Sequence, residues 1–269
     1  MNLADVAGIS NAQRLARAVI HDVAATLAPG TREIDAVRQI ETRLERAGVK
    51  HWLHTAYAWW GARTRFAGFV DWEPDALATS RVLEAGDPFI LDVAPLVDGY
   101  PADYAFSGVC GAAASTSPHA EILATLAEIK RAIVAWAASS QDGAALTKTV
   151  DRTIENHDLD VVHTLYPAGV LGHAVARLPA ILARAPRIGD GFQLPLLGSS
   201  AVQLFNHRFR DAPYPLINNI ATGRPLQGLY AIEPHVARGD IGAKFESILL
   251  VDGDETRWLD PELFGEVQG

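Results

Sequence analysis

Four carboxylates and one imidazole, spread over both halves of the chain, constrain this sequence more than any other feature. Asp92 and Asp103 lie in FILDVAPLVDGYPADYAF, two apolar β-type runs joined at Asp98-Gly99, a strong signal for a two-residue hairpin. A turn on those residues pairs position 92 with 105 and 94 with 103. Asp92 and Asp103 then become diagonal neighbours on one face, within roughly 8 Å at Cβ. The stretch YAIEPHVARGDIGAKFESILLV repeats the device, since a turn centred on Gly239-Asp240 sets Glu233 opposite Glu246. His173, in Leu171-Gly172-His173, falls between the two hairpins. Asp92 follows Phe89-Ile90-Leu91, and Glu246 precedes Ser247-Ile248-Leu249-Leu250-Val251. Such strands are buried, and an unpaired carboxylate there is costly. Basic residues are scarce in these segments, so metal is the simplest partner. Two hairpins, each offering two acids on one face, suit a pair of divalent ions about 3.5–4 Å apart.

Composition narrows the setting. Of 269 residues 49% are hydrophobic and 20% charged, enough for a sizeable core in a globular protein. A formal net charge of −9 disfavours nucleic acid and anionic membrane as partners. The single cysteine, Cys110, excludes an intramolecular disulfide and fits a reducing compartment. The first residues, MNLADVAGIS, lack the basic and apolar regions of a signal peptide, and no stretch reaches the roughly 20 apolar residues of a membrane span. The expectation is a cytoplasmic enzyme acting on a small molecule or short peptide, and a homodimer is compatible with it.

Apolar spacing predicts an amphipathic helix over 10–27, ended by Pro29-Gly30, and a second over 32–47, closed by Gly48. A strand-like segment follows at 51–58 and the acidic hairpin at 88–107. A helix opens at Ser117-Pro118 and runs to about 138, and another spans about 143–156. Each half thus reads as a helix pair followed by acidic strands. Residues 180–228 show few clear periods and read as loops with one or two strands.

The pieces LDVAPLVDGYPAD, LGH at 171–173, AIEP at 231–234 and FESILLV at 245–251 resemble, in order and local context, the pita-bread metallopeptidases. That superfamily includes methionine aminopeptidase, aminopeptidase P, prolidase and creatinase. The resemblance runs over roughly residues 10 to 260. It implies an α/β (α+β) fold with two pseudo-symmetric halves, a curved antiparallel sheet covered by helices, and a single catalytic domain over 1–269 without the N-terminal domain of creatinase or prolidase. It also implies metal ligands Asp92, Asp103, His173, Glu233 and Glu246. Asp92 and Asp103 would bind one ion, His173 and Glu233 the other, with Asp103 and Glu246 bridging. An oxygen-rich set with one imidazole and no thiolate favours two ions of Mn²⁺, Fe²⁺ or Co²⁺, with Zn²⁺ compatible. The chemistry implied is hydrolysis by a hydroxide bridging the ions, with Glu233 as the catalytic proton carrier.

The sequence also departs from that pattern. Members of the family usually follow the second Asp with Thr or Ser and a basic residue; here Tyr104-Ala105-Phe106 follow Asp103. Their Gly-His-Gly with a histidine seven residues on is replaced by Gly172-His173-Ala174 and Ala180. Their early histidine is absent from Thr64-Arg65-Phe66-Ala67. Three other histidines are candidate substitutes. His235 shares strand parity with Glu233 and is assigned a catalytic role. His207, in Asn206-His207-Arg208, is assigned one too, and His54 lies in a segment that can fold over the site. The cluster Tyr57, Trp59, Trp60, Arg63, Arg65 and Phe66 reads equally well as a pocket that grips a substrate carboxylate or as core and surface.

The leading expectation is a dinuclear-metal hydrolase of an amide or short peptide, Xaa-Pro-like or specialised. One rival uses the same metals, as iron, for oxidative chemistry on a small metabolite. Another is a non-catalytic binding protein.

Overall fold

A computed structural model of the chain describes residues 3–70, 72–111, 118–178, 216–253 and 255–260. In helix α1 (Leu3–Ala24) the buried residues Ile9, Ala12, Ala16, Val19, Ile20 and Val23 recur at helical spacing. The helix starts at Leu3 rather than residue 10, with Asp5 in its first turn, where the helix dipole favours an acid. In α2 (Glu33–Arg46), Ala36, Ile40 and Leu44 form one buried stripe. Both helices cover a sheet in which the central strand β2 (Pro88–Val97) pairs antiparallel with β1 (His51–Trp60) and β3 (Tyr104–Val109). The connecting turn has Asp98 at φ 53° and Gly99 at φ 84°. Two positive φ angles define the turn that suits a twisted hairpin, and they explain the Asp-Gly pair. Ile20, Ile40, Leu44, Trp52, Trp60, Leu91 and Val93 fill the space between helices and sheet. Burying each such side chain stabilises by about 1.5–3 kcal/mol.

The second half repeats this outline. Helix α3 (Pro118–Ser139) buries Ile122, Leu126, Ile129 and Ile133, and α4 (Gly143–Asn156) is capped by Asp142, whose carboxylate accepts the Ala145 N–H at 3.0 Å. These helices pack on Leu171, Ile217, Tyr230, Ile232, Val236, Leu249 and Trp258. Their sheet runs β9 (Glu255–Trp258), β8 (Ser247–Asp252), β5 (Gly228–Ile232), β4 (Gly172–Val175), with a short edge strand at Leu216–Ile217. The hairpin β6 (His235–Arg238) and β7 (Ile241–Lys244) extends from it, with the short strand Asp160–Val161 beside β6. The expected helix and strand order is therefore observed in both halves.

The halves meet where Ala105 of β3 and Glu246 form a single antiparallel bridge, with backbone N···O distances of 3.4 and 3.3 Å. Among the described residues no helix is long and apolar enough to cross a membrane.

Candidate metal centre

The two hairpins carry their acids in the expected registers. Asp92 faces Ala105 across β2 and β3. Asp103 sits just before β3, where Gln13 of α1 clamps its backbone: the Gln13 amide donates to the Asp103 carbonyl at 2.8 Å and accepts its N–H at 3.1 Å. The pairings Ile232 with Ser247 and His235 with Lys244 bracket Glu233 opposite Glu246. Because Glu246 bridges Ala105, the partner of Asp92, both acidic pairs converge on one place. His173 enters from β4, next to Ala231 of β5. Its neighbour Gly172 has no room for a side chain, since a Cβ there would stand 2.2 Å from the Ala231 carbonyl oxygen. Glycine before the histidine is thus what lets β4 lie close enough to aim it.

Asp103 is addressed by two imidazoles. His173 Nε2 lies 3.1 Å from Asp103 Oδ2, and His54 Nε2 lies 3.4 Å from Asp103 Oδ1 and 3.8 Å from Asp92 Oδ1. Each ring donates its Nδ1–H to the carbonyl of the next residue, His54 to Thr55 at 2.8 Å and His173 to Ala174 at 3.1 Å. That bond fixes the ring and leaves Nε2 for the site, as metal-ligating histidines require. The other oxygen of interest, Asp92 Oδ1, is buried without a hydrogen-bond partner among the described residues. Buried acceptors in this state are uncommon and call for an ion or other ligand.

A residue the sequence reading overlooked occupies the middle of the carboxylates. Lys244 Nζ donates to Asp92 Oδ2 at 2.7 Å, to Glu233 Oε2 at 3.0 Å and to Glu246 Oε2 at 3.0 Å. Its side chain is 1% exposed. Ser107 holds its backbone, donating to the Lys244 carbonyl at 2.6 Å and accepting its N–H at 2.8 Å, and the Tyr166 ring lies 5.1 Å from Nζ. Basic residues are scarce in these segments, as expected, but one of them, Lys244, two residues before Glu246, is a direct partner of the acids.

The electrostatics follow from burial and crowding. Burial pushes Glu246 well above the ordinary carboxylate range, and the Asp103 and Glu233 charges add to it. Burial likewise raises Glu233, against the lowering by Lys244. For Asp103 burial acts upward too, but hydrogen bonds from His173 and His54 outweigh it and hold the carboxyl low. Burial opposes protonation of His54, yet Asp103 and Asp92 raise it to about 9. Lys244 is raised well above its usual value, because its carboxylate partners outweigh desolvation.

The other candidates have different fates. His235 is fully buried, with Nε2 donating to the Thr64 carbonyl at 2.6 Å and Nδ1 accepting from the Tyr166 hydroxyl at 2.9 Å. Both ring nitrogens are engaged in holding backbone and Tyr166. His207 and Ala180 lie outside the described residues. Arg63 is bound to Glu33 and to the carbonyls of Asp75 and Leu77, and Arg65 to the Gly239 carbonyl and Asp160. Trp60 belongs to the first core, while Tyr57, Trp59 and Phe66 pack with Trp72 and Tyr166 in another cluster. The cluster thus takes its core-and-surface form. The Phe66 ring stands 4.6 Å from that of His235.

Among the described residues two groups can hold a divalent ion: His54, Asp92 and Asp103, and Asp103, His173 and Glu246. The donors are hard carboxylates with imidazoles and no thiolate, and the unpartnered Asp92 Oδ1 is a ready ligand. The set therefore fits a divalent metal.

A two-half fold with its acids and histidines at the join is that of a metallopeptidase. The chain belongs to metallopeptidase family M24, whose sequence profile matches residues 7–252. No curated protein matches it. Among solved structures it is similar to the X-Pro aminopeptidase of Thermotoga maritima MSB8 (TM-score 0.70, 14% identity, 96% of this chain and 61% of that one). It is also similar to the prolidase of Pyrococcus furiosus (TM-score 0.69, 16% identity, 96% and 64%). A methionine aminopeptidase of Thermotoga maritima has TM-score 0.63 and 16% identity, covering 97% of this chain and 98% of that one. The chain spans 61% of the first of these proteins and 64% of the second. The fold is the pita-bread fold that the resemblance implied.

Proposed function

We propose that the chain is a divalent-metal-dependent hydrolase that cleaves an amide or short peptide, Xaa-Pro-like or specialised. The observation that carries this reading is the convergence of Asp92, Asp103, His173, Glu233 and Glu246, with His54, at the join of the two halves. Membership of family M24 supports it. When bound, the metal supplies Lewis acidity, lowering the pKa of its water and stabilising a developing oxyanion. The protein's own groups do the rest. Glu233, raised by burial and held by Lys244, takes and returns the proton. Asp92 and Asp103 carry the metal, with Gln13 fixing Asp103 from behind. His235 and Tyr166 hold the wall beside Lys244, so we assign His235 a positioning rather than a catalytic role.

The range of substrates is narrow on this reading. In sequence, Thr64-Arg65-Phe66-Ala67 and the alanine at position 180 lack the two histidines that the family uses to contact the substrate, and losing one such donor costs roughly 10²–10³ in rate. We place the enzyme in the cytoplasm, on the strength of its single, buried Cys110.

A second reading, oxidative chemistry with iron on a small metabolite, rests on one observation: an imidazole stands in each of the two candidate groups, and imidazole with carboxylate suits iron. The test is a panel of Met-, Leu- and Xaa-Pro-peptides and simple amides, assayed with Mn²⁺, Co²⁺ or Fe²⁺ and after chelation. Metal-dependent release of amine from a narrow subset supports the hydrolase. Oxygen uptake with Fe²⁺ and no hydrolysis replaces it with the second reading.

A further inference from the structure

Resting on the metal-dependent reading above, we infer that Lys244 takes the place of one of the two metal ions, leaving a single divalent ion on His54, Asp92 and Asp103. The acids divide between two cations. Glu233 Oε2 and Glu246 Oε2 both accept from the Lys244 ammonium, at 3.0 Å each, and Asp92 Oδ2 does so at 2.7 Å. Glu233 and Glu246 are the acids that the second metal position would use, and the lone pairs of these two oxygens are directed at N–H donors. An ion sharing them would also face a fixed positive charge a few ångströms away, in a dry site where such repulsion is strong.

The lysine has nowhere else to go. Its side chain is 1% exposed, Ser107 clamps its backbone from both sides, and the Tyr166 ring covers its end. It is a built component of the cage.

What remains is a smaller site with its own ligands. Asp92 Oδ1 is buried and lacks a hydrogen-bond partner, with His54 Nε2 3.8 Å from it. His54 Nε2 also lies 3.4 Å from Asp103 Oδ1, and its Nδ1–H is anchored on Thr55. An ion between these three groups gains one imidazole and two carboxylate oxygens at once, at the modest closing movement that metal–ligand bonds of about 2.0–2.2 Å require. His173 then stays on Asp103 Oδ2 as the hydrogen-bonded support of a ligand rather than a ligand itself.

Metal content and electron paramagnetic resonance of the Mn²⁺-loaded, dialysed protein test this. Wild type should hold one ion per chain with the spectrum of an isolated Mn²⁺, and Lys244→Met should hold two with the broadened spectrum of a coupled pair. Nitrogen coupling to Mn²⁺ in the wild type should vanish in His54→Ala and persist in His173→Ala. Two ions in the wild type, equal content in wild type and Lys244→Met, or nitrogen coupling lost only in His173→Ala would each overturn the inference. Where Lys244→Met does not fold, the wild-type count and the two histidine variants decide alone. Two ions in the wild type would leave the hydrolase reading standing, whereas no ion in any folded variant would sink that reading as well.

Discussion

Lys244 Nζ and Asp92 Oδ2 lie 2.7 Å apart although 152 residues separate them in sequence. One bond thus ties the second-half hairpin to the first-half hairpin through charge, beside the backbone bridge of Ala105 and Glu246. The same ammonium donates to Glu233 and Glu246 as well, at 3.0 Å each. Removing it takes the shared ammonium from three buried carboxylates, and breaking such a buried pair typically costs about 3–5 kcal/mol. Lys244→Met should therefore unfold at markedly lower denaturant in the presence of chelator, and divalent metal should restore its stability more than it raises that of wild type. Denaturant melts of both proteins, with and without Mn²⁺, measure this. An unaltered midpoint for the chelated variant would mean that the ammonium contributes nothing to joining the halves.

Much of the centre was legible because its signals are local. Asp98-Gly99 and Gly239-Asp240 set the registers that place Asp92, Glu233 and Glu246, and a turn dipeptide is read without knowledge of the rest of the chain. Lys244 is close to Glu246 in sequence, but buried acids call equally for a metal or an ammonium, and spacing alone does not choose between them. His54 was harder. Register shifts flank it in β1, between Trp52 and His54 and again between His54 and Tyr57, so strand alternation cannot say which way its ring turns. The same strand is buried on both faces from His54 onward, which is why the roles of Tyr57, Trp59 and Trp60 could not be separated by pattern. The ring of His235 is legible only in part, for a different reason. Parity gave its face, but its partners Thr64 and Tyr166 come from segments distant in sequence.

His235 should matter for stability before turnover. Replacing it with Ala strands the Thr64 carbonyl and the Tyr166 hydroxyl, two buried groups that each cost about 1–3 kcal/mol when unpaired. A His235→Ala variant should lose several kcal/mol in equilibrium unfolding while retaining its metal. A variant as stable as wild type but with lost turnover would return His235 to the catalytic group.

His119 gives a pH signature away from the metal site. It lies in the first turn of α3, 3% exposed, and neither ring nitrogen has a hydrogen-bond partner among the described residues. Burial lowers its pKa from 6.5 to about 4. Between those values the unfolded chain binds a proton that the folded chain does not, so stability is present above pH 6.5 and falls as the pH drops toward 4. The shift corresponds to about 3 kcal/mol as an upper figure. His119→Leu should flatten the stability profile between pH 4 and 6.5 and raise stability most at the acid end. Parallel profiles for the two proteins would show that the histidine does not titrate in this window.

Glu233→Gln tests the chemistry most directly. The carboxylate is buried, raised above the ordinary carboxylate range by desolvation, and its Oε2 is fixed by Lys244 at 3.0 Å, which suits a group that takes and returns a proton. Glutamine keeps the shape and one acceptor oxygen for Lys244 but cannot carry the proton. With the ion on His54, Asp92 and Asp103, this change should leave metal content at the wild-type level. Turnover should fall by roughly 10²–10⁴, the usual contribution of a positioned acid–base group, with little change in KM. Asp103→Ala should instead lose both metal and activity, because Asp103 faces both imidazoles. The decisive measurement sets kcat beside metal per chain for the three proteins on the best peptide of the substrate panel. Equal loss of metal in Glu233→Gln and Asp103→Ala would make Glu233 a ligand rather than the proton carrier, and would move the ion to the lysine's side of the cage.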